Sequence, residues 1–191
     1  MGVEERLRKI NGQGKLHRIV RERLPALVAA ADSIDRKMIR LRQVADAASA
    51  VIAPFTPCAK GCSACCHNPA IISELEAMAV AESTGATLAT PQRVFDAGAS
   101  VDVRREYFSR YAGVACTFLK GGACSIYAHR PVVCRVQHSI EDSAAGCDAG
   151  RQPASVDLTE IHLAERRMLG PMAIYADIRE FFPDGRANQT K

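Results

Sequence analysis

The chain has 191 residues, of which 48% are hydrophobic, and carries a formal net charge of +4. A chain of this length can bury roughly 70% of the surface that it exposes when unfolded, which is enough for one compact core. Its longest apolar stretches are interrupted by Asp, Arg or Pro and fall short of the roughly 20 residues that a membrane span needs. The N-terminus, MGVEERLRKINGQGK, does not look like a secretory signal, so we expect a cytoplasmic protein.

The positive charge is concentrated in the N-terminal segment. Residues 1–50 contain 11 Lys and Arg against 6 acidic residues, whereas the remainder contains 14 against 15. This segment is either a solvated helix face or a docking surface for a protein partner. Aromatic residues do not interleave with the basic ones and no nucleic-acid-binding motif is present, so nucleic acid is not an expected partner.

The first predicted element is a helical hairpin. Residues 33–52 (SIDRKMIRLRQVADAASAVI) place apolar residues every three or four positions, which predicts one helix that begins near Ser33 and ends before Pro54. Upstream, a similar apolar stripe runs over residues 16–28, and Pro25 kinks or divides it.

Two further helices are predicted before residue 113. In ISELEAMAVAESTG, Ser73 and Glu76 form a capping box and Gly85 provides a left-handed stop. Pro91 then opens a helix that runs toward residue 113. One face of this second helix carries Val94, Val101 and Phe108.

Residues 116–127 (CTFLKGGACSIY) predict a β-hairpin, because short β-prone runs flank two glycines. The turn is expected to bring Cys116 and Cys124 near each other on adjacent strands. In the following HRPVVCR, Pro131 favours a helix start and places Cys134 in its first turn.

The C-terminal segment, residues 157–182, shows helical spacing divided at Pro171. Its predicted core residues are Leu158, Ile161, Met168, Met172, Tyr175 and Phe182. The predicted fold class is mainly α, a small single domain with a short β-hairpin and cysteine-rich loops gathered around a metal site. Within it we expect an N-terminal helical hairpin (1–54), a cysteine-cluster core (55–150) and C-terminal helices packed on that core (151–191).

Eight cysteines lie in the middle of the chain and none in the flanking helical segments: Cys58, Cys62, Cys65, Cys66, Cys116, Cys124, Cys134 and Cys147. A reducing cytoplasm favours metal binding or redox chemistry over disulfides for so many thiols. Zinc takes four thiolates at about 2.3 Å, and two cysteines separated by two residues, as at Cys62 and Cys65, are a common chelating unit. We therefore predict that all eight are metal ligands.

The adjacent pair Cys65 and Cys66 bears on the number of metal centres. Neighbouring side chains point to opposite sides of an extended chain and diverge by about 100° on a helix. The sulfurs are therefore expected to diverge and to serve, or bridge, two neighbouring centres with four thiolates each. The alternative is a single centre, with one of the pair buried as a small hydrophobe.

The metal and the role of the site stay open at this point. Thiolate sites suit zinc, iron and iron–sulfur clusters alike. Cys58, Cys62 and Cys65 match the C-x3-C-x2-C pattern of radical SAM enzymes, although the alternating strands and helices of those enzymes are missing, as is the aromatic residue that usually precedes their third cysteine. The alternatives are an iron–sulfur enzyme of redox or group-transfer chemistry and an interaction module with a structural metal. No catalytic residue is assigned.

Cations must offset the charge of four thiolates on one dication. Arg130 and Arg135 are the predicted partners for this role; the alternative for both is a surface ion pair with Glu141 or Asp142. Imidazole also suits zinc and iron. The possible extra ligands are His67, His129 and His138.

About half of the chain resembles a known family. The residues that carry the resemblance are PCAKGCSACC, then ACTFLKGGACSIYAHRPVVCRVQHS, then a final GC, over residues 57–147. Together they are similar to the YkgJ-like family of cysteine-cluster proteins. The resemblance implies zinc or iron chelation through the eight cysteines, with Arg130, Pro131 and Arg135 in the block around Cys134. It does not cover the flanking helices.

Overall fold

The computed structural model describes residues 2–142, 147 and 155–184. The α-helices in these residues are α1 (Val3–Asn11), α2 (Gly14–Arg18), α3 (Leu24–Ala29), α4 (Ile34–Ile52), α5 (Glu74–Thr84), α6 (Val101–Ser109), α7 (Val132–Val136), α8 (Thr159–Leu169) and α9 (Ile178–Phe181). The strands are β1 (Ile71–Ser73), β2 (Leu119–Lys120), β3 (Ala123–Cys124) and β4 (Tyr175–Asp177). The mainly α fold class with a short β-hairpin is confirmed. None of the helices among these residues is long and apolar enough to cross a membrane.

Two compact units make up the fold. Of the described residues, the first contains 2–59, 132–142, 147 and 155–173. The second contains 60–131 and 174–184. The predicted division at residues 54 and 150 stays a prediction.

The first unit has a helical core centred on α4. This helix begins after Ser33 and ends at Ile52, as predicted, and it packs against α3, α7 and α8. Its predicted apolar stripe is buried at Met38, Leu41, Ala45, Ala48 and Ile52. The spacing of apolar residues therefore identifies the side of α4 that faces the core.

Pro25 perturbs the helical segment upstream, as expected. A π-helical turn over Ile19–Arg23 separates α2 from α3, and Pro25 occupies the first turn of α3. Proline has no N–H to donate to a preceding carbonyl, and a wider turn is one way for a helix to accommodate that loss.

In the second unit, the helix signals around α5 are confirmed. The Ser73 Oγ accepts a hydrogen bond from the Glu76 N–H at 3.3 Å, and Gly85 ends the helix at φ 68°. The sequence analysis missed a two-stranded antiparallel sheet, in which β1 pairs with β4 and Ile72 lies opposite Ala176. Each strand has only three residues, which is too short to show an alternating pattern.

The helix predicted from Pro91 is wrong in its first ten residues. Helix α6 begins only at Val101, where the Ser100 Oγ caps the Val103 N–H at 3.4 Å. Upstream, the Glu180 carboxylate accepts hydrogen bonds from two N–H groups, those of Gln92 and Arg93. The Tyr175 carbonyl accepts another from the Phe95 N–H, so this stretch makes tertiary instead of helical hydrogen bonds.

The predicted apolar face of that helix is also wrong. Val94 and Val101 are 57% and 59% exposed, and Phe108 is 38% exposed. The buried side chains are instead those of Tyr107 on α6 and of Tyr111 in the turn that follows it.

The C-terminal segment is only partly helical. Helix α8 ends at Leu169, where Gly170 adopts φ 78°, and residues 175–177 form a strand instead of the predicted second helix. Leu158, Ile161, Tyr175 and Phe182 are buried as predicted. The prediction for Met172 is wrong: it follows the helix-ending Gly170 and is 89% exposed.

Candidate metal centre

Cys65 and Cys66 lie on a 3₁₀ turn over Ala64–His67. The turn is held by hydrogen bonds from the Cys66 N–H to the Ser63 carbonyl (2.9 Å) and from the Asn68 N–H to the Cys65 carbonyl (3.1 Å). The predicted divergence of the two sulfurs toward two centres stays a prediction.

Cys116 and Cys124 are presented by the predicted hairpin. Its turn has φ 56° at Gly121 and 76° at Gly122, the backbone of a two-residue hairpin turn that favours glycine. One detail differs from expectation, because Leu119, not Cys116, lies opposite Cys124 in the ladder. Cys116 lies in the turn before β2, where its carbonyl accepts from the Leu119 N–H at 2.9 Å.

A backbone contact joins these two cysteine segments. The Cys116 N–H donates to the Cys66 carbonyl at 2.7 Å, and the Gly113 N–H donates to the His67 carbonyl at 2.8 Å. The two hydrogen bonds fix the register of residues 66–67 against residues 113–116.

Electrostatics show that four thiols of the second unit interact. The pKa of Cys66 is raised by its hydrogen bond to Cys65, by burial and by the charges that Cys65, Cys116 and Cys124 carry when ionised. Burial followed by the Cys65 charge raises the pKa of Cys124 in the same way. We call Cys65, Cys66, Cys116 and Cys124 the second-unit thiol group.

Cys65 is the thiol of this group that ionises most readily. The hydrogen bond from Cys66 is the largest cause that lowers its pKa, to about 7, and the Arg130 guanidinium adds to the effect against the opposing effect of burial. Arg130 stacks over the Tyr127 ring, 4.2 Å from its centroid. It also lowers the pKa of Cys124, so this predicted cation lies where it can offset thiolate charge.

Backbone N–H groups support the other two thiols. Burial raises the pKa of both Cys116 and Cys124. The N–H groups of Phe118 and Ile126, each two residues after the cysteine, act in the opposite direction. Such N–H groups stabilise a thiolate and are typical of protein environments that tune metal-bound sulfur.

The remaining cysteines belong to different parts of the chain. In the first unit, the Cys58 sulfur accepts a hydrogen bond from the Ser139 N–H at 3.3 Å, Cys134 lies on α7 as predicted, and Cys147 is buried. Cys62 is half-buried in the second unit. Their role as ligands stays a prediction.

Arg135 has a different ion-pair partner from those considered. Its Nη1 atom donates to both carboxylate oxygens of Asp46, at 2.8 and 2.9 Å, and the side chain is buried. Asp142 instead pairs with Arg6. An ion pair of Arg135 with Glu141 or Asp142 stays a prediction, and so does the effect of Arg135 on a metal centre.

The three histidines differ in exposure. His138 is buried, with Nε2 2.8 Å from the Ser49 Oγ and Nδ1 3.4 Å from the Thr56 Oγ1. These hydroxyl contacts tie His138 to α4 and the turn that follows it. His67 is half-buried and His129 is exposed, and their use as extra ligands stays a prediction.

Within residues 2–142, 147 and 155–184, no three His, Cys, Asp or Glu side chains are arranged to hold a metal ion directly. The donor set nevertheless suits zinc or iron, because thiolates are the ligands that both ions accept and an arginine and two N–H groups lie where they offset negative charge.

Residues 57–152 match a family model described as "Putative zinc- or iron-chelating domain". The match covers about half of the 191-residue chain and includes all eight cysteines. The chain belongs to this family. No curated protein and no solved structure matches it. This match confirms the resemblance to the YkgJ-like family. It also confirms the prediction of a cysteine-rich, helical protein with a metal-binding domain.

The sequence analysis missed two charged residues that support these loops, Asp177 and Arg179. Both are buried, and Arg179 donates hydrogen bonds to carbonyls of the Cys66 and Cys116 segments. The sequence does contain a signal for buried charged residues: the two lie two positions apart within a largely apolar run, IYADIREFF. Charged residues in such a run are seldom buried unless they are paired.

Proposed function

We propose that this protein chelates zinc or iron through its eight cysteine thiolates at two centres, and that the second-unit thiol group is one of them. The observation that supports this most strongly is the family match over all eight cysteines, together with the hydrogen bond from the Cys116 N–H to the Cys66 carbonyl at 2.7 Å. Four thiolates complete the tetrahedral shell of a zinc ion or the ligands of an iron–sulfur cluster.

The thiols of this centre are proposed to lose their protons at different stages of metal binding. Cys65 ionises first, because its pKa is about 7. The other thiols have higher pKa values and lose their protons as the ion binds, so binding is expected to release protons. Arg130 and the N–H groups of Phe118 and Ile126 then offset the negative charge.

The second centre is argued from the sequence. Eight thiols are enough for two tetrahedral sites of four ligands each. A reducing compartment such as the cytoplasm would keep all of these thiols available for metal.

A structural role fits the second-unit centre better than a catalytic one. Four thiolates on one zinc leave no open position for a substrate or a water molecule. A bound metal would add folding free energy to a unit whose cysteine loops contain little regular structure. An iron–sulfur cluster in the same thiolates would supply electron transfer instead.

The experiment is metal analysis of the full-length protein purified without oxygen. We expect two equivalents of zinc per chain in colourless protein, or iron with visible absorption if clusters are present. Cys66→Ser and Cys116→Ser should each remove one equivalent, because they lose a ligand of the same centre. Ser63→Ala, next to the same turn but not at a sulfur, is the matched control and should retain both.

Two outcomes contradict the proposal. Protein without bound zinc or iron after anaerobic purification and reconstitution would refute chelation. Full metal content in the Cys66→Ser, Cys116→Ser double variant would refute the assignment of the second-unit thiol group.

A protein-docking role is the second candidate, supported by the exposure of basic residues in the first unit. The exposed basic side chains between residues 8 and 23 are those of Arg8, Lys9, Lys15, Arg18, Arg21 and Arg23. We propose an acidic protein partner for this face. Deleting residues 1–50 is not a clean test, because it would also remove buried side chains such as Ile10 and Leu41.

Charge substitution tests the docking role more cleanly. The triple variant Lys15→Gln, Arg18→Gln, Arg21→Gln should retain its metal content but lose a partner that co-purifies at low salt with the wild-type protein. Retention of that partner by the triple variant would contradict the docking role.

A further inference from the structure

We propose that Arg179 is a positioning residue for the second-unit centre, and that it holds the Cys66 and Cys116 segments at the spacing a metal ion requires. The inference rests on the proposed function. It concerns a residue outside the family match, which ends at residue 152.

The Arg179 guanidinium bonds to both cysteine segments. Its Nη2 atom lies 3.2 Å from the Cys66 carbonyl oxygen and 3.3 Å from that of Asn68. The same nitrogen lies 2.5 Å from the Val114 carbonyl oxygen, and Nε lies 3.2 Å from that of Ala115. One side chain therefore bonds to the backbone at and just after the cysteine pair and to the two residues immediately before Cys116.

This contact reinforces the direct backbone hydrogen bond between the two segments. The Cys66 carbonyl accepts both from the Cys116 N–H at 2.7 Å and from Arg179. If Arg179 is lost, the carbonyls of Asn68, Val114 and Ala115 lose a charged donor in a partly buried place. Such groups are costly to leave unsatisfied, so the loops are expected to shift to find other donors.

Asp177 holds the guanidinium in this orientation. Its Oδ1 atom accepts from Arg179 Nη1 at 2.8 Å and from the Arg179 N–H at 3.0 Å. Its Oδ2 atom accepts from the Ala70 N–H at 2.8 Å, and the residue is fully buried. The carboxylate thus fixes one edge of the guanidinium and leaves its other donors for the cysteine segments.

The geometry requires arginine and not only a positive charge. A guanidinium presents five donors in a rigid planar fork, whereas a lysine presents three donors on one nitrogen. Lysine at position 179 can retain an ion pair with Asp177, but it cannot span the carbonyls of both segments at once. Arg179→Lys therefore keeps the positive charge but removes the simultaneous contact with both segments, so it distinguishes the two effects.

The test compares full-length wild-type protein with Arg179→Lys, Arg179→Gln and the matched control Arg104→Gln. Arg104 lies in the same unit and donates to one carbonyl, that of Ala97 at 3.0 Å, without contacting a cysteine segment. Cobalt(II) serves as the probe, because its visible absorption reports thiolate coordination and geometry. Zinc affinity is measured by competition with a chelator, and residue-resolved alkylation measures thiol access in metal-free protein.

We expect Arg179→Lys to change the cobalt absorption, to weaken zinc binding at the second-unit centre at least tenfold, and to speed alkylation of Cys66 and Cys116 but not of Cys58. Arg179→Gln should show the same pattern more strongly, and Arg104→Gln should match the wild type. A wild-type cobalt spectrum and wild-type alkylation rates in Arg179→Lys would overturn the inference. Loss of helical circular dichroism in Arg179→Lys would overturn it too, because the role would then be in folding at large.

Failure of the proposed function gives a different result. In that case the wild-type protein takes up neither zinc nor cobalt, and the proposed role of Arg179 in metal binding is refuted as well. Faster alkylation of Cys66 and Cys116 in Arg179→Lys would then show that Arg179 orders the loops without a metal. If the wild type binds metal and the lysine variant binds it equally well with an unchanged spectrum, only the Arg179 inference fails.

Discussion

Both units of the chain bury apolar side chains, but a buried charged group of the first, Arg135, pairs with the Asp46 side chain, whereas those of the second bond largely to the backbone. In the first unit, helices bury apolar side chains such as Leu41, Ala45 and Ile161. In the second, short strands and turns are joined by buried charged groups, among them Asp177 and Arg179, that bond to backbone atoms. Apolar helix packing tolerates modest changes of shape, whereas a buried charge depends on each of its partners. The unit that presents most of the cysteines is therefore the one more sensitive to single polar substitutions.

The largest expected effect follows from Asp177→Asn in the second unit. The substitution leaves the buried Arg179 without a negative partner, and breaking a buried ion pair typically lowers the free energy of unfolding by about 3–5 kcal/mol. Urea unfolding measures the change. Asp102→Asn is the control, because its ion pair with Arg105 is solvent-exposed and should contribute little. Equal effects for the two variants would show that the buried ion pair contributes no more to the free energy of unfolding than the exposed one.

The first unit should respond mainly to loss of apolar volume. Leu41 is fully buried, so Leu41→Ala is expected to lower the free energy of unfolding by about 2–5 kcal/mol. Ile39 lies on the same helix but is 54% exposed, and Ile39→Ala should change stability far less. A small effect of Leu41→Ala would mean that apolar packing on α4 is not what stabilises this unit.

A smaller effect is expected from helix capping. Ser73→Ala removes the hydroxyl that accepts from the Glu76 N–H, which should lower the free energy of unfolding by about 1 kcal/mol. Ser33 also precedes a helix, but its side chain makes no capping hydrogen bond, so Ser33→Ala should be nearly neutral. A larger loss of stability in Ser33→Ala than in Ser73→Ala, measured by chemical denaturation, would contradict the geometry of the two caps.

The smallest expected effect is a pH dependence in the first unit. Burial, followed by the nearby Arg166, lowers the pKa of His162 below its ordinary value of 6.5. The unfolded chain therefore binds this proton more readily, so stability should fall as the pH drops below 6.5 toward the pKa of the folded state. In a plot of the free energy of unfolding against pH, His162→Gln should reduce the slope below pH 6.5. An unchanged slope would show that other groups cause the pH dependence.

The regular part of the fold could be predicted from the sequence, because its signals are local. Apolar periodicity gave the buried face of α4, and Ser73, Glu76 and Gly85 marked the ends of α5. The two glycines at 121–122 located the hairpin that carries Cys124. In each case the signal and the structure that it specifies lie within a few residues of each other.

What the sequence analysis missed depends on contacts between distant residues. The predicted helix over residues 91–100 does not form because residues 175 and 180 accept its backbone N–H groups. The strand pairing of β1 with β4 joins residues about a hundred positions apart. Neither composition nor periodicity reports on contacts of these kinds.

The position of β4 and Arg179 in the chain has a consequence for biosynthesis. Ribosomes make the chain from its N-terminus, so residues 60–131 emerge well before residues 174–182. Until the later segment arrives, β1 lacks its pairing strand and the Cys66 and Cys116 segments lack the Arg179 guanidinium. The cysteine loops of the nascent chain therefore lack the contacts that order them until the C-terminal strand has been synthesised.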